Sequence, residues 1–247
     1  MLGFLDNLEM QADTSISVFL PAGMGEDAAV RDVLGAALSS GLPADIAESA
    51  AASPTGSVLF RQASTLLLIR PPFPLKEHFI APGCDTGPLR SLLEHPFAVA
   101  LVLVRLGAFA IGVWRGQELV ASKTGTGLVH GRHRKGGQSQ RRFERRREKQ
   151  AGDFLERVCG HAREQMEPFA QMLDHLAYGG ARAAISTLRK QCPFLEQFQD
   201  RLLPPLLNIP RPRRAVLDTA FADLCSSSIT EWQTQGLAGF DSPPPGA

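Results

Sequence analysis

Residues 97–123 have the sequence FAVALVLVRLGAFAIGVWRGQELVASK, which begins with the longest apolar stretch of the chain. Its short apolar runs, rich in β-branched residues, predict strands at Val99–Val104 and Ala108–Trp114, with a third strand at Leu119–Lys123. Arg105 interrupts the apolar stretch, which argues against a membrane-spanning helix. The stretch therefore predicts a three-strand antiparallel meander at the centre of a folded domain.

Helical periodicity follows the meander on its C-terminal side. Apolar residues recur at helical spacing over many turns, at Phe143, Ala151, Phe154, Val158, Ala162, Met166 and Phe169. Three residues are candidate kinks or breaks in this helix: Gly152, Gly160 and Pro168. Further helices are predicted at Arg182–Lys190 and Ala215–Leu224, and a closing strand at Ser226–Trp232.

Residues 1–94 are predicted to form a separate α/β unit, in which an alternating strand at Ser15–Leu20 precedes helices and two adjacent strands. The second domain is predicted over residues 95–233, with a glycine-rich loop at 124–140, and residues 234–247 are predicted to be a disordered tail. The predicted fold class is therefore α/β: a small N-terminal α/β domain, then a mixed sheet with helices and a mobile loop.

The composition is that of a globular protein with free thiols. The 247 residues are 44% hydrophobic and 21% charged, with a net charge of +1, which is ordinary for a folded protein. The four cysteines stand far apart and none forms a Cys-x-x-Cys pair, so neither a zinc site nor a disulfide framework is predicted. Free thiols indicate a reducing compartment. Because the N-terminus also lacks the features of a signal peptide, we expect a cytoplasmic location.

Positive charge is concentrated in one segment, residues 123–150. It contains two acids, Glu144 and Glu148, and ten basic residues: Lys123, Arg132, Arg134, Lys135, Arg141, Arg142, Arg145, Arg146, Arg147 and Lys149. The segment carries 10 − 2 = +8, so the rest of the chain sums to 1 − 8 = −7. Because a polyanion relieves the repulsion between clustered like charges, a nucleic acid is the predicted partner. The alternative is a solvated helix face, which is typical of segments with alternating charge.

Gly136-Gly137-Gln138 lies in the middle of this segment. Two glycines remove both Cβ atoms and allow positive φ angles, so that a loop tip can enter a narrow site. The side-chain amide of Gln138 forms hydrogen bonds but does not ionise near neutral pH. It is therefore suited to positioning a water molecule and stabilising a developing charge, rather than to acting as a general base.

Residues 134–149, RKGGQSQRRFERRREK, closely resemble the catalytic loop and helix of the archaeal and eukaryotic class-1 peptide release factor superfamily. That family has Gly-Gly-Gln-Ser, then Arg-Phe, then an arginine-rich helix, in the same order and spacing. Weaker similarity extends over most of residues 55–232. The sequence shows no counterpart of the family's stop-codon loop or third domain. It is therefore most similar to the release-factor-like peptidyl-tRNA hydrolases of ribosome quality control and their bacterial relatives.

The resemblance implies a ribonuclease-H-like domain and a set of site residues. The catalytic residues would be Gln138, Gly136 and Gly137, with Gln138 coordinating the attacking water and stabilising the leaving ribose oxygen. The RNA-binding residues would be Arg132, Arg134, Lys135, Ser139, Arg141, Arg142, Arg145, Arg146 and Lys149. Ser139 could also cap the helix, and Phe143 would pack the helix onto the sheet. The implied partners are ribosomal RNA, peptidyl-tRNA and the peptidyl-transferase centre of the large ribosomal subunit, with no membrane, metal or cofactor.

The predicted function is hydrolysis of peptidyl-tRNA on stalled ribosomes or large subunits, which releases the nascent chain. One alternative is a non-catalytic ribosome- or RNA-binding factor that uses the same basic loop and helix. Another is an RNA nuclease, which needs converging carboxylates for its metal ions, whereas the three predicted strands of the meander contain no acid. His130 and His133 have a spacing that a metal could use, but no cysteine or acid stands nearby, which favours RNA contact or solvation.

Overall fold

The computed structural model describes the chain except for residues 11–15, 25–26, 39–43, 63–64, 128–137 and 234–247. The chain divides into two compact units. Unit 1 comprises Met1–Glu94 and the segment that begins at Ser226, and unit 2 comprises His95–Cys225. Each unit is built on one five-stranded sheet with helices. The predicted α/β fold class is therefore confirmed.

Unit 1 is an antiparallel sheet with helices. Its elements are, in chain order, α1 (Leu2–Met10), β1 (Ile16–Leu20), α2 (Asp27–Leu38), α3 (Ala44–Ala51), β2 (Ser57–Arg61), β3 (Thr65–Arg70), β4 (Phe79–Pro82), α4 (Gly87–Glu94) and β10 (Ser228–Gln233). The strand order is β10-β3-β2-β1-β4, and all neighbouring strands are antiparallel.

Alternating side chains supply one hydrophobic layer on each face of this sheet. On β1, Val18 and Leu20 join the cluster that contains Val30 and Leu34 of α2. Phe19, which lies between them, joins the opposite cluster, to which α1 and α4 contribute. The two-residue alternation of a strand therefore places α2 and α3 on one face and α1 and α4 on the other.

The last described strand belongs to unit 1, which corrects the prediction that it closes a second domain over residues 95–233. β10 pairs with β3 in antiparallel register over its whole length. Trp232 packs against the α2–α3 side of the unit 1 core, and its Nε1 donates a hydrogen bond to Asp45 Oδ2 at 2.9 Å. Because these contacts tie the strand to unit 1, the second unit ends at Cys225.

Unit 2 is a mixed sheet. Its elements are β5 (Ala98–Arg105), β6 (Ala108–Arg115), β7 (Glu118–Thr126), α5 (Gln138–Met166), β8 (His175–Gly180), α6 (Arg182–Gln191), α7 (Pro193–Glu196), β9 (Leu202–Leu207) and α8 (Arg214–Leu224). The strand order is β7-β6-β5-β8-β9. β5, β6 and β7 form the predicted antiparallel meander, which is confirmed, and β8 and β9 continue the sheet in parallel to β5.

Helices cover both faces of the unit 2 sheet. Ala100, Val102 and Val104 of β5 point into the cluster formed with α5 and α6. On the other face α8 packs on β5 and β6, and the rings of Trp114 and Phe221 stack with centroids 4.2 Å apart. This is the ribonuclease-H-like sheet with helices that the resemblance implies. No helix among the described residues is long and apolar enough to span a membrane.

Cys159 of α5 and Cys192, directly after α6, form a disulfide bond, which corrects the prediction of free thiols for this pair. Their Cα atoms lie 5.6 Å apart, a separation that suits a disulfide. The two cysteines are 33 residues apart in sequence and become neighbours only when α5 and α6 pack together. Cys225 is not disulfide-bonded, and burial raises the pKa of its thiol to about 11.

Candidate functional site

Part of the predicted site lies outside the residues that the structure describes. This applies to Arg132, Arg134, Lys135, Gly136 and Gly137, and to the loop histidines His130 and His133. Four further residues with predicted roles lie in α5 without described side chains: Gln138, Ser139, Arg141 and Phe143. The roles assigned to these side chains, including the helix cap and the packing of Phe143, remain predictions.

The segment predicted as a loop at 124–140 is partly regular structure. Residues 124–126 belong to β7 and pair with β6. Residues 138–140 are the first three residues of α5, so that the helix begins at Gln138, directly after the two glycines in sequence. The strand is longer than predicted because its exposed, polar end still forms ladder hydrogen bonds that apolar periodicity does not reveal.

Four predicted RNA-binding residues lie exposed on the first turns of α5: Arg142, Arg145, Arg146 and Lys149. Because residues three, four and seven positions apart share one side of a helix, these four form a single line of charge, here called the basic stripe. Among the side chains that the structure describes, none of the four takes part in an ion pair. The basic stripe is therefore open to an external anion.

The N-terminal part of α5 extends beyond the core of unit 2. No described side chain from Arg142 to Asp153 is buried, whereas Phe154 is 1% exposed. Gln138 precedes Phe154 by 154 − 138 = 16 residues, which is ~24 Å of helix at about 1.5 Å per residue. Gln138 therefore lies at the far end of a charged helix that is held in place by its later turns.

The strand that leads towards the loop is packed closely at its end. A Cβ atom added to Gly125 would lie 2.5 Å from the ring of Phe109. A Cβ atom added to Gly127 would lie 2.5 Å from the ring of Phe154 and 2.8 Å from Arg157 Nη2. All three distances are too short for a real side chain, so glycine at these two positions allows the end of β7 and the residue directly after it to approach their neighbours.

The N-terminal end of α5 has the polarity that a negative charge requires. The first four backbone N–H groups of a helix have no partner within it, and the aligned peptide dipoles place a partial positive charge of about half a unit there. The backbone of Gln138 lies at this end, and the basic stripe adds full positive charges. The chemistry that this arrangement supports is binding of phosphate and stabilisation of a developing oxyanion.

The described residues contain no group of three or more His, Cys, Asp or Glu side chains that could hold a metal ion. β5 and β6 contain no acid, and Glu118, at the start of β7, is exposed. A nuclease with two metal ions needs several converging carboxylates, and this part of the chain does not bring such a cluster together.

A second group of basic side chains was not predicted from the sequence. Arg182, Arg189 and Lys190 lie on α6 and line a groove with Tyr178. The only signal in the sequence is that α6, RAAISTLRKQ, contains three bases and no acid. On a ten-residue helix that signal is too weak to separate a binding face from a solvated one.

Part of the chain is similar in sequence to peptide chain release factors. The chain is 36% identical over 110 residues to peptide chain release factor subunit 1 of Thermococcus onnurineus, which is 43% of this chain and 26% of that protein. It is 31% identical over 126 residues to the same factor of Aeropyrum pernix, which is 48% of this chain and 34% of that protein. The chain thus spans about a quarter to a third of the length of these curated relatives.

Two solved structures align with most of this chain. The archaeal translation termination factor aRF1 gives a TM-score of 0.42 at 18% identity, over 90% of this chain and 68% of that one. The Vms1 mitochondrial localization core gives a TM-score of 0.46 at 14% identity, over 82% and 81%.

A family model provides the assignment. The model of the Actinobacteria/Chloroflexi VLRF1 release factor matches residues 98–230. That is 230 − 98 + 1 = 133 residues, more than half of the 247, and it contains the basic segment and almost the whole of unit 2. The predicted similarity to class-1 release factors is confirmed, and the chain belongs to the VLRF1 release factor family.

Proposed function

We propose that this chain hydrolyses the ester bond of peptidyl-tRNA on stalled ribosomes or separated large subunits, and so releases nascent chains in ribosome rescue. The observation that carries the proposal is the position of Gln138. It is the first residue of α5, directly after Gly136 and Gly137, at the outer end of the basic stripe. Membership of a release factor family supports the same interpretation.

The length of the exposed helix supports delivery of Gln138 into an RNA-lined site. The basic stripe lies between Gln138 and the first buried residue, Phe154. A helix that reaches ~24 Å from its anchor can put its tip deep into a cleft while its arginines contact the surrounding phosphates. The same charges make binding dependent on salt, because bound phosphates release their counterions.

The proposed reaction is attack by water on the ester carbonyl carbon that joins the peptide to the ribose of the tRNA. A bond forms between the water oxygen and the carbonyl carbon, and the bond from that carbon to the ribose oxygen breaks. One water proton passes to the ribose oxygen, and the other leaves when the new peptide carboxylic acid ionises. Gln138 would orient the water and donate to the developing negative charge, while the helix N-terminus supplies a positive field.

The test is release of labelled peptide from purified stalled ribosome–nascent-chain complexes. We expect Gln138→Ala to lower the release rate by about a hundredfold to a thousandfold, the usual cost of losing one group that stabilises an oxyanion. Gly137→Ala should also lower it, because an added Cβ atom restricts the backbone and the access of the loop tip to a narrow site. Gln140→Ala is the matched control, because it makes the same substitution two positions later in the same helix. Cosedimentation with ribosomes must be unchanged in all three variants.

The exposed basic stripe also fits a non-catalytic binding factor. That function predicts cosedimentation without release, and no effect of Gln138→Ala. Binding without release by the unmodified chain would therefore replace the hydrolase proposal with this one. Release that continues in the presence of a metal chelator would separate ester hydrolysis from cleavage of RNA by a metal-dependent nuclease.

A further inference from the structure

A groove of about 750 Å³ lies between α6, the turn after α7 and the edge strand β9. Tyr178 of β8, Ile185 of α6 and Leu203 of β9 contribute to its lining and are each 5–6% exposed. Arg182 and Lys190, from the two ends of α6, line it with exposed side chains. The volume is in the range of clefts that bind small organic groups.

The charged residues of the groove favour an anion. Three bases and one acid, Glu196, line it, so the lining carries 3 − 1 = +2. Arg182 and Arg189 are seven residues apart on α6, so that they lie on the same side of the helix about 10 Å apart. Arg182 and Lys190 form no ion pair with any side chain that the structure describes. Their charges are therefore available to an external anion.

Arg189 is held in position inside the groove. Its Nη2 donates a hydrogen bond to Gln199 Oε1 at 2.7 Å, and its guanidinium carbon lies 5.7 Å from the centre of the Tyr178 ring. Such a contact between a cation and a ring restrains the arginine. Burial raises the pKa of the Tyr178 hydroxyl to about 12, so this group stays neutral and can donate a hydrogen bond at physiological pH.

The edge strand beside the groove does not suit a peptide. β9 pairs only with β8 in this sheet, and it contains Pro204 and Pro205. Proline has no backbone N–H, so a protein segment cannot extend the ladder across these two residues. A ligand of this groove must be recognised by side chains, through cations at the two ends of α6 and an apolar lining between them.

We propose that this groove binds an unpaired nucleotide of an RNA strand. The phosphates on the two sides of this nucleotide lie against Arg182 and Lys190, one at each end of α6, and the base lies between them against the apolar lining formed by Ile185 and Leu203. Arg189 offers its face or its remaining N–H groups to the base. The inference goes beyond the proposed function, because the groove is formed by α6 and β9 rather than by the helix that carries Gln138, and it does not depend on ester hydrolysis.

The experiment uses the full chain and a short single-stranded RNA oligonucleotide that contains thiouridine. Affinity is measured by fluorescence anisotropy over a range of salt concentrations, and the bound segment is mapped by photo-crosslinking and mass spectrometry. The groove variant is Arg182→Ala with Lys190→Ala, which changes two exposed side chains. The matched control is Arg211→Ala with Arg213→Ala, which removes the same charge from two other exposed arginines of unit 2.

The groove variant is expected to bind the oligonucleotide about tenfold more weakly and to lose the crosslinks to residues 178–206. Its salt dependence should fall by ~1.4 in the slope of log K against log salt, about 0.7 for each lost phosphate contact on a single strand. The control should keep the crosslinks and most of the affinity. Because the basic stripe of α5 is also expected to attract RNA, the comparison is repeated in chains that carry Arg145→Ala with Arg146→Ala. There the crosslinks to the groove should persist when the groove is intact and be lost in the groove variant.

Three results would overturn the inference: crosslinks that never map to residues 178–206, an equal loss of affinity in the control, or a glutamate-rich peptide that occupies the groove more tightly than the oligonucleotide. Thermal unfolding of each variant shows whether it is folded. If the unmodified chain forms the crosslinks to residues 178–206 but releases no peptide, the proposed function alone is refuted. If it releases peptide but forms no such crosslinks, this inference alone is refuted.

Discussion

The two halves of α5 differ in burial and in charge although they form one continuous helix. From Arg142 to Asp153 no described side chain is buried, and the basic stripe dominates the surface. From Phe154 to Met166 the residues Phe154, Val158, Ala162 and Met166 recur every four positions and are at most 1% exposed. The side chains of the first half are thus free to contact solvent or a binding partner, whereas those of the second half pack against the sheet.

This difference indicates that the outer half depends on the inner half for its helical structure. Arg142 and Arg146, and likewise Arg145 and Lys149, are like-charged pairs four residues apart, and each such pair destabilises a helix by about 0.2–0.5 kcal/mol. Packing of the inner half supplies the helical nucleus from which the outer turns continue. A polyanion along the basic stripe would reduce this repulsion, so we expect binding of an anion there to stabilise the outer turns of the helix.

Substitution of Phe154 should have the largest effect. Its ring is buried and lies 6.2 Å from the ring of Phe109, centre to centre. Phe154→Ala should lower the free energy of unfolding by about 3–5 kcal/mol through lost burial and the cavity that remains. Urea denaturation measures this loss. Arg146→Ala, in the outer half, should change the same quantity by less than about 0.5 kcal/mol, and equal losses would refute the division of the helix.

Substitution of Gly127 tests how closely the end of β7 is packed onto the inner half. Gly127→Ala places a Cβ atom where it would overlap with the Phe154 ring, and such overpacking costs about 1–3 kcal/mol. Gly152→Ala is the matched control, because a Cβ atom there would meet nothing within 4 Å. A Gly127 variant as stable as the unmodified chain, in the same urea titration, would mean that β7 does not approach α5 as described.

Elements with a local hydrophobic pattern were predicted from the sequence, whereas features that depend on residues distant in sequence were missed. β5 and β6 were predicted to within a residue or two, because both are apolar runs interrupted by a turn. The inner half of α5 was predicted from its four-residue spacing, and neither Gly152 nor Gly160 breaks the helix, which ends at Met166 before Pro168.

Three features of the fold could not be predicted from local patterns. β10 was assigned to the wrong unit, because its own sequence does not indicate that it pairs with β3. β9, with the sequence LLPPLL, was missed because two prolines argue against a strand. The disulfide joins two cysteines that only the packing of α5 on α6 brings together. Of the candidate site, charge and motif predicted the basic stripe and Gln138, whereas the groove on α6 needs residues from four elements, β8, α6, α7 and β9.

Removing charge from the outer half should weaken ribosome binding without unfolding the chain. Arg145→Ala combined with Arg146→Ala removes two exposed cations of the basic stripe. We expect cosedimentation with ribosomes to weaken about tenfold at low salt, and the salt dependence of binding to fall by ~1.4–1.8 in slope, for two lost phosphate contacts. Arg211→Ala with Arg213→Ala is the charge-matched control. A thermal midpoint lowered along with binding would instead assign these arginines a role in folding.

Substitution of Gly160 should have the smallest effect and the opposite sign. Gly160 lies in the inner half, is exposed, and has nothing within 4 Å of an added Cβ atom. Gly160→Ala should therefore raise the free energy of unfolding by about 0.5–1 kcal/mol, because alanine loses less backbone entropy in a helix.

Gly152→Ala, in the outer half, should raise helix content measured by circular dichroism more than it raises global stability, since those turns can fray while the core stays folded. If both variants stabilise the chain equally against urea, the outer half unfolds together with the core. The two halves of α5 would then form one cooperative unit, and the basic stripe would need no partner to remain helical.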